Sequence, residues 1–183
     1  DGRGMTLDEL EIVKNEKNLN KKKIGKEIIS DSNYISDAVN IIGRMDKTQQ
    51  VTIDIGGGAA KTVAPKLLEE IGCQVETINE KLDECSRGPD PTSDELVELI
   101  SKTKNLGFAF DLDSDRVILV MNGKKKSSDI TLGLGVVKAI KLGIKRFVLS
   151  LDSSLAIEKF IIKNGGKVWR SKVGEANVIQ MMI

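Results

Sequence analysis

The sequence predicts an α/β fold: a mixed, mostly parallel sheet covered by helices, with one complete α/β domain and part of a second. Three observations carry this. Short apolar runs such as Val51–Ile55 alternate with stretches of helical periodicity, the pattern of strand–helix–strand units. Glycines punctuate the alternation at Gly56–Gly58, Gly72 and Gly165–Gly166. The chain has 183 residues, is 40% hydrophobic and 30% charged, and carries a formal net charge of +1, so it can bury a core without staples. The expected divisions are 1–29, the tail of a preceding domain and a linker; 30–123, the complete α/β domain; and 127–183, the N-terminal half of a following α/β domain.

In order along the chain, Asp1–Gly4 reads as a turn. Thr6 with Glu9 three residues later fits a capping box opening a helix toward Lys14. Asn15–Lys26, including Lys21–Lys23, reads as a solvated linker. Ser30 or Asp31 is placed to cap a helix whose Ile35, Val39 and Ile42 share a face. Val51–Ile55 is a strand, Gly56–Gly58 a tight turn, and Thr62–Ile71 a helix that tolerates Pro65 in its first turn. Gly72 closes that helix, and Cys73–Ile78 is the next strand. After a Gly88–Thr92 loop, Ser93 is placed to cap a helix over Asp94–Lys104. Gly107–Phe110 and Arg116–Met121 are strands, the second turning at Asn122-Gly123. Asp129–Leu142, Ser154–Lys163 and Val178–Ile183 read as helices, and Arg146–Leu151 and Lys167–Arg170 as strands. The chain opens on Asp1 and its last amphipathic segment stops abruptly, as expected of a piece of a longer polypeptide.

Composition removes several kinds of chemistry. There is no histidine, which excludes Ser-His-Asp and Cys-His catalysis and His-ligated zinc. Near-neutral charge and 3% aromatic content argue against nucleic acid as a partner. Cys73 and Cys85 form no CxxC or zinc spacing; Cys73, opening an apolar strand, is expected to be a buried free thiol, and a cytoplasmic location is expected. No run of 18 apolar residues exists to span a membrane.

The sharpest feature is Asp111-Leu112-Asp113-Ser114-Asp115-Arg116, directly after an apolar strand, where open α/β sheets place their ligand sites. Side chains in extended chain alternate with period 2, so Asp111, Asp113 and Asp115 project to one side. Three carboxylates that close repel one another unless a cation sits among them, and Mg²⁺ suits an all-oxygen set. Same-face positions lie roughly 6.6 Å apart in a straight strand, so the segment must curl for all three to bind one ion. The alternative is a solvated acidic turn. A second feature, Asp54–Ala60, offers a glycine turn between strand and helix: either a tight structural turn or a phosphate cradle. A third, Arg170–Asn177, places Lys172 beside a glycine bend that could meet an anion at a helix N-terminus, or is an ordinary strand-to-helix turn.

Together and in this order, these features resemble the α-D-phosphohexomutase superfamily of phosphoglucomutases, phosphomannomutases and phosphoglucosamine mutases. The resemblance rests on VTIDIGGGAAKTVAPKLLEEIGCQV, GPDPTSDELVELI, GFAFDLDSDRVILV, DSSLAIEKF and RSKVGEANVIQMM. It implies Mg²⁺-dependent transfer of a phosphoryl group between the 1- and 6-positions of a hexose, through a phosphoserine and a bisphosphorylated sugar. By the same resemblance, Asp111, Asp113 and Asp115 are the metal ligands and Arg116 contacts the phosphoryl group. Lys172, Gly174 and Glu175 match a loop that faces the phosphorylated hexose. Leu112 stands where the family usually has Gly, and Asp90 where it has Glu. The serine loop, the Gly-Glu-x-Ser-Gly-His sugar loop and the Arg-x-Ser-Gly-Thr phosphate loop have no counterpart in these residues. The chain alone is therefore expected to be inactive, its partners being the remaining first-, third- and fourth-domain segments of the parent.

Three rivals stand beside this reading. A haloacid-dehalogenase-like phosphatase would use Asp111 as nucleophile and Asp113 as acid/base, with Asp115 where Thr or Val is expected. An S-adenosylmethionine-dependent methyltransferase would use Asp54–Ala60. A non-catalytic α/β module would bind a metal or a phosphorylated ligand.

Overall fold

The computed structural model describes residues 4–15 and 33–183. The expected turn at Asp1–Arg3, the linker after Asn15 and the caps at Ser30 or Asp31 lie outside the described residues. The chain divides into two compact units, Ser30–Thr131 and a second formed by Asp1–Ile29 with Leu132–Ile183.

The unit of Ser30–Thr131 is built on strands β1 (Gln49–Asp54), β2 (Cys73–Ile78), β3 (Leu106–Phe110), β4 (Val117–Met121) and β5 (Lys124–Lys125) in the order β2-β1-β3-β4-β5. β1 runs parallel to both β2 and β3, whereas β3–β4 and β4–β5 are antiparallel. Helices α2 (Tyr34–Ile42), α3 (Ala64–Glu70) and α4 (Val97–Lys102) supply the cover. The period-2 rule assigns the two faces. Val51, Ile53 and Ile55 with Phe108 and Phe110 pack under α3 through Ala64 and Leu68. Ala109, Ile118 and Val120 pack on the other face under α4 through Leu96 and Leu99. Because both faces are covered, the central strands read as nearly continuous apolar runs.

The chain therefore leaves β1 toward β2 on one side and returns to β3 on the other, through helices on opposite faces. The carboxyl ends of β1 and β3 bound the crevice where the strand order reverses, the position at which α/β sheets hold ligands.

In this unit two helices differ from expectation. The segment Thr62–Ile71 splits into a 3₁₀ turn (Ala59–Thr62) and α3, because Val63 (φ −116°) breaks the helical run. Ser93 does not cap α4. Its hydroxyl donates to the Asp90 carbonyl, while Asp94 accepts from the Leu96 amide at 2.8 Å. That side-chain turn competes with helix and puts Leu96 in the left-handed region (φ 55°), so α4 starts only at Val97.

In the second unit, Thr6 and Glu9 make the capping box. The Thr6 amide donates to Glu9 at 2.8 Å and the Glu9 amide to the Thr6 hydroxyl at 3.3 Å, opening α1 (Leu7–Asn15). Helices α5 (Ser128–Lys141) and α6 (Leu155–Lys163) and the parallel strands β6 (Arg146–Ser150) and β7 (Lys167–Ser171) enclose Val136, Leu149, Ile157 and Ile161. Helix α7 spans Glu175–Met182, so it begins three residues before the apolar stretch at Val178 from which it was read. No helix among the described residues is long and apolar enough to cross a membrane.

Candidate active site

The six residues 111–116 connect β3 to β4, and the Asp111 amide donating to the Arg116 carbonyl at 3.3 Å closes the turn. Ser114 turns the loop with a left-handed backbone (φ 67°). This supplies the curl that three same-parity carboxylates need. One carboxylate oxygen from each of Asp111, Asp113 and Asp115 lies within 4.8 Å of the others. Bonds of roughly 2.0–2.1 Å place the oxygens around an octahedral Mg²⁺ about 3–4.2 Å apart. Asp113 and Asp115 are exposed, so modest side-chain rotation closes that difference. The donor set is all carboxylate, which matches a hard divalent cation.

Asp111 is 2% exposed in its side chain. Its carboxylate accepts from the Arg116 amide (3.0 Å) and from Arg116 Nε (2.7 Å). Burial pushes the Asp111 carboxyl up, but the bonds from Arg116 and Asp115 and the charge of Arg116 outweigh it and hold the group below the ordinary value. Asp115 moves the other way. Its hydrogen bond with Asp111, with some burial and the charges of Asp111 and Asp113, holds it above the usual carboxylate range. Crowding of like charges is what a cation among the three carboxylates would relieve.

Arg116 is held more tightly than its sequence position reveals. Nε pairs with Asp111 and Nη1 with Asp90, both at 2.7 Å. Asp90 is in turn fixed by the Thr92 amide and hydroxyl at 2.8 and 2.7 Å. The guanidinium thus holds the acidic loop to the Gly88–Thr92 loop, a link of 26 residues in sequence.

The glycine turn after β1 is a structural turn. The amides of Gly56, Gly57, Gly58 and Ala59 already donate to Asp54 Oδ1, the Asn79 carbonyl, the Ile55 carbonyl and the Leu112 carbonyl. They are committed within the fold, which removes the phosphate cradle and the methyltransferase reading built on it. The turn instead buttresses the acidic loop, since a Cβ on Gly58 would lie 2.4 Å from the Leu112 carbonyl oxygen. The phosphatase reading fares no better. Asp111 accepts from Arg116 through both oxygens, and Asp115 stands where that mechanism expects Thr or Val.

Lys172, Gly174 and Glu175 lie in the second unit, where β7 passes into α7. Gly174 has φ 113° and is the N-cap, and Glu175 opens the helix. The Asn177 side chain donates to the Val173 carbonyl at 2.8 Å and tightens this bend. Arg170 fixes the preceding strand by donating to the Ser150 and Ser153 carbonyls and to Glu158.

Sequence reasoning overlooked Arg87. Its guanidinium lies against Asp54, both side chains 2% exposed, with Nε 2.9 Å from Asp54 Oδ2 and Nη2 2.6 Å from the Phe110 carbonyl. The one sequence signal was an arginine just before the Gly88-Pro89 turn.

Residues 32–124 match the model of the phosphoglucomutase/phosphomannomutase family, alpha/beta/alpha domain II. The chain is 33% identical over 156 residues to a probable phosphoglucosamine mutase of Methanocella arvoryzae, covering 80% of this chain and 34% of that protein. It is 30% identical over 185 residues to a phosphoglucosamine mutase of Nautilia profundicola, covering 93% of this chain and 40% of that one. It thus spans about a third to two-fifths of the relatives it matches. In fold it is similar to a phosphoglucomutase/phosphomannomutase family protein of Burkholderia thailandensis, with TM-score 0.69 and 21% identity, over 81% of this chain and 34% of that one.

Proposed function

The chain belongs to the phosphoglucomutase/phosphomannomutase family, and from that premise we propose that it supplies the metal loop and part of the sugar-phosphate site of a phosphohexomutase. The whole protein interconverts hexose 1-phosphate and hexose 6-phosphate. Glucosamine phosphate is the favoured substrate among glucose, mannose and glucosamine phosphates, since the relatives above carry that name. The observation that carries the reading is the convergence of Asp111, Asp113 and Asp115 at the carboxyl end of β3, beside the strand-order reversal.

In this mechanism Asp111, Asp113 and Asp115 hold Mg²⁺, which when bound neutralises charge on the phosphoryl group in transit between a phosphoserine and the sugar. Arg116 keeps Asp111 ionised and aimed, and brings a guanidinium to the edge of the site for the phosphoryl oxygens. By the family resemblance, Lys172, Gly174 and Glu175 would belong to a loop that faces the phosphorylated hexose. The 183-residue chain by itself is inactive, because it carries no counterpart of the serine loop that donates the phosphoryl group. Free Cys73 and Cys85 suit the reducing cytoplasm in which such an enzyme would work.

Titration calorimetry with Mg²⁺ tests the reading. The chain should bind one Mg²⁺, and Asp113→Asn should weaken binding at least tenfold without lowering thermal stability in EDTA. Equal affinity of wild type and Asp113→Asn would refute it.

A further inference from the structure

The mechanism leaves one feature unused. Among the described ion pairs, Asp54–Arg87 is the one with both side chains buried. Burying two charges is costly and seldom repaid in stability, so what the pair holds in place is informative. Arg87 Nε donates to Asp54 Oδ2, Nη2 donates to the Phe110 carbonyl, and Nη1 donates to the Gly88 carbonyl at 2.9 Å. Asp54, the last residue of β1, also accepts from the Gly56 amide (3.0 Å) and from Asn79 Nδ2 (3.1 Å) just beyond β2. One guanidinium and one carboxylate thus tie together the ends of β2, β1 and β3. Gly56 makes room for this: its Cβ would stand 2.6 Å from Arg87 Nη2.

Phe110 immediately precedes Asp111. Its carbonyl is the last main-chain group of β3, and its orientation sets the peptide plane from which Asp111 departs. We propose that Arg87, held by Asp54, is a positioning residue for the cation site: it fixes the Phe110–Asp111 peptide so that the Asp111 carboxylate aims at Asp113 and Asp115. This rests on the reading of those three aspartates as cation ligands. A planar fork is required, since one side chain must bond Asp54 and the Phe110 carbonyl in different directions. A lysine keeps the charge but not the fork.

The test uses the full 183-residue chain with Mn²⁺ as probe, free ion being counted by electron paramagnetic resonance, and compares wild type with Arg87→Lys, Asp54→Asn and Asp113→Asn. Melting in EDTA reports folding separately. Arg87→Lys and Asp54→Asn should melt cooperatively yet bind Mn²⁺ at least tenfold more weakly, and the Phe110 carbonyl ¹³C resonance should move in Arg87→Lys. Wild-type affinity in both variants, with Asp113→Asn still impaired, overturns the positioning role and leaves the cation site standing. A wild-type chain that takes up no Mn²⁺ overturns the cation site itself, and the positioning role with it. Should neither variant fold, linkage decides: Mg²⁺ must slow hydrogen exchange at Arg87 Nε–H of the wild type more than at the amides of β2, and equal slowing refutes the role.

Discussion

Replacing Gly58 by alanine tests whether the glycine turn shapes the acidic loop. Gly58 has an extended backbone (φ −100°, ψ −167°) that any residue adopts, so the effect must come from contact. The added Cβ would lie 2.4, 2.7 and 2.9 Å from the oxygen, Cα and carbonyl carbon of Leu112, all main-chain atoms that no rotamer change can move aside. The loop must retreat by about 1 Å to restore ordinary contact, which stretches the 2.8 Å bond from the Ala59 amide to the Leu112 carbonyl. Overpacking of this kind costs about 1–3 kcal/mol and the lost hydrogen bond about 0.5–1.5 kcal/mol. At about 2–4 °C per kcal/mol for a chain of this length, the melting temperature should fall by roughly 3–18 °C. Mn²⁺ affinity should fall at least tenfold, because Leu112 lies between two of the ligands. Gly88→Ala is the control: a Cβ there meets nothing within 4 Å among the described residues. Scanning calorimetry and Mn²⁺ titration read both quantities. A Gly58→Ala chain with wild-type melting and affinity would refute the argument that the turn buttresses the loop.

Three further outcomes are expected. Leu99, fully buried between α4 and β3, should cost about 2–5 kcal/mol in urea unfolding when cut to alanine, against little for exposed Leu82; equal costs would contradict the core assignment. Gly133 and Gly135 lie within α5 with nothing within 4 Å of a Cβ among the described residues. Alanine at each should stabilise by about 0.5–1 kcal/mol, and a lowered melting temperature in the double variant would count against this. Glu98 is held below its ordinary value, first by the Ser86 hydroxyl and then by Lys102. A depressed folded value gives stability that is present above the unfolded value of 4.5 and is lost as pH falls through the lower folded value. The melting temperature should therefore drop between about pH 5 and 3, less so in Ser86→Ala, and an unchanged profile in that variant would exclude the contribution.

What the sequence by itself determined was local. Apolar periodicity and glycine punctuation located the strands and most helices, because those signals come from neighbours a few residues apart. The Thr6–Glu9 box is such a signal, and the structure closes it with both hydrogen bonds. The common parity of Asp111, Asp113 and Asp115 was equally legible, since alternation along extended chain is a property of the backbone. Even locally one competition was misjudged: at Ser93–Leu96 the Asp94 side chain took the amide that a helix start would have used. What only tertiary structure decided was which distant groups meet. Arg87 reaches Asp54 across 33 residues, Arg116 reaches Asp90 across 26, and Gly58 lies against Leu112 on another strand's loop. Those meetings follow from the strand order β2-β1-β3, which brings the ends of three strands together. Hydrophobic pattern marks a segment as a strand with two buried faces but does not say which strands lie beside it, so the partners of its terminal polar groups are fixed only when the sheet assembles.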